Sequence, residues 1–298
     1  MTEPRELAIG SSRLVLGLPH TNRDGLAEHL LLMHAGHLYW SAIARAARRK
    51  LSSLRSASGE KIYATFYYIE EDFPAGLPLS TFQIDDAVRF LVGLRAFKNL
   101  AIDGRILFDE ARRLPPTARP LAPGRHPFIR LASIFTERQS GNRRLRVAPP
   151  ADADFSGLPP LADRDNAFHL TRAAEASGDL GLIGEAWTRR SDRPAETRHI
   201  VDPDRDTNGA GLLYFANYAV VINIAEREAL NGIGRDLRKR RLAYYGNAEP
   251  NEALRITADV FARPDQSGAV AVRCRVRRDA DDQLICLSEA ILQPRTAP

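Results

Sequence analysis

The chain has 298 residues but only two cysteines, two methionines and two tryptophans. Cys274 and Cys286 are too few for a disulfide framework, and by themselves they make no zinc site. Lysine is scarce as well, with only Lys50, Lys61, Lys98 and Lys239, so nearly all the cationic side chains are arginines. Long apolar runs are missing: the stretch 219–225 falls far short of the roughly 18 residues a spanning helix needs. The first dozen residues carry Glu3, Arg5 and Glu6 where a secretory signal would be apolar, so a cytoplasmic location is expected. The sequence also lacks a phosphate-binding G-x-x-x-x-G-K-[ST], a G-x-S-x-G and a dinucleotide glycine fingerprint. That argues against ATPase, serine-hydrolase and nicotinamide chemistry.

What remains is an ordinary globular composition, 44% hydrophobic and 27% charged. The net charge of +5 comes from 42 basic against 37 acidic residues, a mild bias without any nucleic-acid reader motif. The length suits one large domain or two of about 150 residues. Residues 149–166, with four prolines and no periodicity, read as a linker between domains 1–148 and 167–298.

Each half carries one amphipathic helix. In 26–50, Leu30, Met33, Leu38, Trp40, Ile43 and Ala47 recur near helical spacing, and 212–230 is similar. Strand-like segments follow at 62–69, 88–97 and 128–135 in the first half and at 270–277 and 284–292 in the second. Val270, Val272, Cys274 and Val276 alternate with Ala271, Arg273, Arg275 and Arg277, as in a half-buried antiparallel strand with a solvated arginine face. One helix with several later strands per half is an α+β pattern. Thr21-Asn-Arg-Asp-Gly-Leu26 and Thr207-Asn-Gly-Ala-Gly-Leu212 share T-N-x-x-G-L directly before each helix, which indicates a duplicated unit.

The segment from Asp206 to Tyr218, DTNGAGLLYFANY, resembles the helix start of hot-dog acyl-CoA thioesterases, D-x-D-x-x-G-x-V-x-x-x-x-Y. The resemblance implies a curved antiparallel sheet wrapped around one long helix, and two in tandem make a double hot dog. The catalytic carboxylate of that pattern falls on Asn208, an amide that cannot take a proton at neutral pH, so ordinary hydrolysis loses its base or nucleophile. Asp206 stands nearby, either as a turn residue or as a substitute base.

In the first half, Gly17-Leu-Pro-His20, Gly25-Leu-Ala-Glu28 and Tyr63-Ala-Thr-Phe66 resemble the bifunctional acyltransferase/decarboxylase family of leinamycin-type polyketide biosynthesis. That resemblance implies decarboxylation of methylmalonyl-CoA and transfer of the acyl group to an acyl carrier protein. No cofactor is implied beyond the coenzyme A of the substrate, and no metal. It also implies a catalytic tyrosine, matched here by Tyr63. Strand alternation puts Tyr63, Thr65, Tyr67 and Ile69 on one face and Ile62, Ala64, Phe66 and Tyr68 on the other, which keeps Tyr67 as the alternative and excludes Tyr68.

The enolate oxygen of such a reaction is expected at the Asn208 amide and the backbone N–H groups of Gly209, Ala210 and Gly211, with Thr65 beside the substrate. The run 235–241 holds Arg238, Lys239, Arg240 and Arg241 as either a solvated face or a contact for coenzyme A phosphates or a carrier protein. His29, His34 and His37 share a helix without the spacing of a zinc motif and are expected to be structural or exposed. The alternatives are a hot-dog thioesterase or dehydratase-like relative, in which Asp206 or a histidine replaces the missing acid, and a non-catalytic acyl-thioester-binding protein. The sequence leaves a homodimer open.

Overall fold

The computed structural model describes residues 9–116, 124–139, 141–143, 145–190, 193–263 and 268–295. The chain divides into two compact units, Met1–Gln139 with Leu145–Phe168, and Ser140–Arg144 with His169–Pro298.

In the first unit, strand β1 (Gly10–Val15) precedes helix α1 (Glu28–Ala47), which is followed by β2 (Ile62–Asp72), β3 (Ala87–Phe97), β4 (Ala101–Glu110), β5 (Phe128–Arg138) and the short β6 (Leu145–Val147). The main strands pair antiparallel in the order β1-β3-β4-β5-β2, with β6 on β5. After helix α2 (Ala167–Ser177), the second unit has β7 (Ala195–Ile200), helix α3 (Phe215–Ala229), β8 (Arg235–Tyr244), β9 (Ala253–Ala262), β10 (Val270–Arg278) and β11 (Leu284–Pro294). Its antiparallel order is β7-β9-β10-β11-β8. Strand, helix and four strands therefore occur twice with the same connectivity, so the repeat seen in six residues of sequence extends to the whole topology.

Helix α1 buries Leu31, Leu32, Ala35, Leu38, Tyr39, Ala42 and Ile43, a stripe at helical spacing against its sheet. Met33, which the sequence pattern placed on that stripe, is exposed. The helix stops where Arg48 turns left-handed at φ 52° and its N–H closes on the Ala44 carbonyl. Helix α3 buries Phe215, Tyr218, Ala219, Ile222 and Ala225 in the same manner.

Residues 149–166 pack on the first unit. The Asn99 amide donates to the carbonyls of Pro150 and Ala153, and Phe155 stacks on Phe135 with ring centroids 5.3 Å apart. Prolines there shape a strap that lies along its own unit. The alternation expected of β10 holds from Val272 to Arg277, with Val272, Cys274 and Val276 buried, while Ala271, placed on the arginine face, is buried like Val270. Its arginine face is paired, not merely solvated: Arg273 meets Glu289, Arg275 meets Asp259 and Arg277 meets Asp282. The basic run 235–241 is itself a strand, whose alternation the sequence hides because cations occupy both of its faces.

Candidate functional site

The shared T-N-x-x-G-L signature folds into a similar turn in both units, one residue longer in the second. In the first, Thr21 pairs with Leu26 and Asn22 with Gly25, and the Asp24 amide donates to Asn22 Oδ1 at 2.7 Å. In the second, Thr207 bridges Leu213, and the Ala210 amide donates to Asn208 Oδ1 at 2.9 Å. Each asparagine thus closes a turn on the amide two residues ahead, and each turn ends in a glycine with positive φ, 101° at Gly25 and 70° at Gly211. The hairpin delivers the chain to the start of the long helix, and Asn208 is first of all the residue that shapes it.

This corrects the expected donor set. Asn208 Oδ1 also accepts the Leu212 amide at 3.2 Å, and the Gly211 amide donates to the Asn208 carbonyl at 2.7 Å. The N–H groups of Ala210 and Gly211 are therefore consumed inside the turn and are not available to an oxyanion. Among the described residues, the Asn208 Nδ2 group and the Gly209 amide are the donors the turn leaves over. Asn142 braces the outside, donating through Nδ2 to the carbonyls of Gly211 at 2.6 Å and Ala248 at 3.2 Å. Asn247 exchanges two hydrogen bonds with the Leu213 backbone.

Asp206 is buried beside this turn. Its carboxylate accepts from His199 Nε2 at 2.6 Å, the Asp202 amide at 2.9 Å and Arg205 Nε at 3.1 Å. Burial alone would raise its pKa, but the hydrogen bonds from Arg205, Asp202 and His199 outweigh it and hold the carboxyl below the ordinary range. A carboxylate so engaged is an anchor for its loop and a poor proton acceptor.

In the first unit, Tyr63 is half-buried on β2, with Lys61 Nζ 5.3 Å and the Arg138 guanidinium 5.9 Å from its ring centroid. Thr65 is engaged with Thr136, Oγ1 to Oγ1, at 2.7 Å. The simple alternation along β2 fails at a bulge, where the register against β5 shifts between Phe66 and Tyr68. Phe66 faces α1, stacking on Trp40 at 5.3 Å. Tyr67 and Tyr68 both meet groups away from the helix: Tyr67 donates to Asn166 Oδ1 at 2.8 Å, while Arg130 lies over the Tyr68 ring. The exclusion of Tyr68 by alternation is therefore withdrawn, since one extra residue reverses the order of faces. Burial and the nearby Asp103 push the Tyr67 phenol well above its usual range against the pull of Arg130, so it stays a neutral donor.

Arg240 is a further correction. It is only 1% exposed, and its guanidinium grips Glu226 of α3 with two bonds of 2.7 and 3.0 Å while also reaching Asn223 and Ser288. It cannot meet a phosphate or a carrier protein. Arg238 and Lys239 are half-buried, and Arg241 donates to the Leu180 carbonyl at 2.9 Å.

The histidines of α1 do not form a metal cluster among the described residues. His34 packs on Phe90 with centroids 4.5 Å apart, bonds Ser12 Oγ at 3.2 Å and lies near His20 and His37. Burial, with help from His37 and His20, lowers its pKa to about 4. A folded value below the unfolded one means that the unfolded chain takes up the proton first as pH falls. The stability from neutral His34 is therefore complete above pH 6.5 and drains away down to about pH 4, at most about 3 kcal/mol. Thermal melts across that window should show a slope in the parent protein that His34→Gln flattens. An unchanged slope would remove the histidine from the account.

No protein-family model and no curated protein sequence matches the chain. Solved structures do. A putative oleoyl thioesterase from Lactobacillus plantarum superposes with a TM-score of 0.69 at 11% identity, over 99% of this chain and 97% of that one. The 12:0-ACP thioesterase from Umbellularia californica gives 0.64 at 11% identity over 96% and 94%. An acyl-ACP thioesterase from Bacteroides thetaiotaomicron gives 0.60 at 10% identity over 95% and 97%. The chain is a double hot dog. The expected fold class is thereby confirmed over nearly the full length, with α1 and α3 each packed on the strands of their own unit.

Proposed function

We propose that this double hot dog acts on acyl thioesters and that its reaction is hydrolysis. The observation that carries this reading is the second unit's hairpin. It holds the Asn208 Nδ2 and Gly209 amides free of the turn, at the position where the thioesterase pattern places its catalytic group. Two donors aimed at a thioester oxygen stabilise the oxyanion as it forms, and removing one such donor costs a factor of about 100 to 1,000 in rate. The thioesterases that share the fold support hydrolysis, and two of them carry acyl-ACP activity in their names. Coenzyme A and acyl carrier protein thioesters are the substrates to try.

Asn208→Asp tests the donor role directly. It keeps an acceptor for the Ala210 and Leu212 amides, so the hairpin persists, but it trades the Nδ2 donor for negative charge beside the developing oxyanion. The kcat for acyl-CoA hydrolysis should fall about 100-fold or more. A rise in kcat would mean that position 208 is a base site and that the donor assignment is wrong.

A second reading, decarboxylation of a malonyl-type thioester with acyl transfer to a carrier protein, draws on the first-half motif and on Asn208 standing where a carboxylate would hydrolyse. Lys61 and Arg138 above Tyr63 supply cations for the malonyl carboxylate. Incubation with methylmalonyl-CoA, with and without carrier protein, followed by mass spectrometry separates the two. Free acid with free thiol supports hydrolysis. A propionyl carrier protein that disappears in Tyr63→Phe supports transfer.

A further inference from the structure

Hydrolysis without a carboxylate at position 208 needs another group to take a proton from water. Around the Asn208 hairpin Asp202 and Asp206 are already committed, while Asp204 is exposed to solvent. Asp206 accepts from His199, Asp202 and Arg205, and Asp202 Oδ1 accepts the backbone amides of Asp204 and Arg205, both at 2.9 Å. His199 is different. It projects from β7 toward the hairpin, directs Nε2 at Asp206 and keeps its side chain 17% exposed, so water reaches it. Its Nδ1 has no hydrogen-bond partner among the described residues.

The hydrogen bond to Asp206 selects the tautomer of the neutral ring. An ionised Asp206 is an acceptor only, so His199 Nε2 carries the hydrogen and Nδ1 is left with its lone pair. A buried carboxylate behind an imidazole fixes the ring and stabilises the imidazolium that forms when the ring takes a proton. Asp206 sits two residues before Asn208, so one short loop joins the carboxylate that holds the base to the amide that would hold the oxyanion.

We infer that His199, oriented by Asp206, is the general base of this site. The inference rests on the hydrolytic reading. His199 Nδ1 removes a proton from water as the water oxygen bonds to the thioester carbon, and the carbonyl electron pair moves onto oxygen near Asn208 Nδ2. When the tetrahedral intermediate collapses, the carbon–sulfur bond breaks and the sulfur leaves as thiolate. His199 returns the proton to that thiolate, giving a carboxylic acid and a thiol from one thioester and one water. Asp206 acts through His199 as a positioning residue.

The test is steady-state hydrolysis of acyl-CoA and acyl carrier protein substrates from pH 5 to 9 by the full chain, with thermal melts of each variant. In the wild type, kcat/KM should rise with pH. His199→Gln, whose amide can still donate to Asp206, should lower kcat about 100-fold or more with KM within about threefold, and should flatten the rise. Added imidazole should restore part of the rate in His199→Ala, which a purely structural role would not allow. Asp206→Asn keeps an oxygen toward His199 but removes the charge, so the rise should move to lower pH. Should His199→Gln fail to fold, the Asp206→Asn profile decides, and an unmoved rise overturns the inference. Wild-type hydrolysis that persists unchanged in a folded His199→Gln overturns the inference and leaves hydrolysis standing. A wild type that releases no acid from any of these thioesters overturns the hydrolytic reading, and the base assignment with it.

Discussion

Truncating Arg240 to alanine is expected to destabilise the protein by about 3–5 kcal/mol, a large share of the margin of a typical domain. Its guanidinium and the Glu226 carboxylate lie between α3 and its sheet, 1% and 4% exposed, joined by two charge-assisted bonds. Removing one partner leaves the other charge without compensation in a medium that solvates it poorly. Glu226→Leu should cost a similar amount for the same reason. The double variant Glu226→Leu, Arg240→Met should recover most of the loss, because well-packed apolar groups replace a pair whose desolvation offset much of its attraction. Urea melts of the wild type, Glu226→Leu, Arg240→Met and the double variant measure the cycle. Additive losses in the double variant would show that shape at these positions, and not charge pairing, sets the cost.

Gly104→Ala should cost about 2–3 kcal/mol although it adds a single methyl group. A Cβ at 104 would lie 2.5 Å from Tyr39 Cε2, well inside contact distance, and the ring has nowhere to go. Tyr39 is fully buried, and its hydroxyl donates to the Ile102 carbonyl at 2.8 Å and lies 2.6 Å from Ser133 Oγ. Glycine here lets helix α1 press its aromatic onto β4. In a Tyr39→Leu background the smaller side chain frees the space, so the added cost of Gly104→Ala should fall below about 1 kcal/mol in thermal melts. An equal cost in both backgrounds would place the strain in the strand itself.

Much of the architecture was legible because it is written in local patterns. The apolar stripes of both helices, the alternation through residues 272–277 and the doubled T-N-x-x-G-L are near neighbours in sequence, and period and spacing report on them directly. The strand Arg235–Tyr244 was not legible, since Arg240 belongs to the core while its neighbours do not, and a run of like charges looks solvated from sequence alone. Arginine can be buried only when a specific carboxylate meets it, and Glu226 lies on another element. The bulge at Tyr67 was hidden for a related reason: an extra residue in one strand is defined only against the partner it fails to match.

The candidate site divides the same way. The sequence by itself determined the α+β class, the duplication, the shared signature before each helix and the amide at position 208, all of which follow from residue type and short spacing. Only the tertiary structure decided what those residues are free to do. It spent the Ala210 and Gly211 amides on the turn, saturated Asp206 with donors, and set His199 from a different strand against it. Hydrogen-bond capacity is finite, and which groups have any left depends on neighbours that the linear order of residues does not specify.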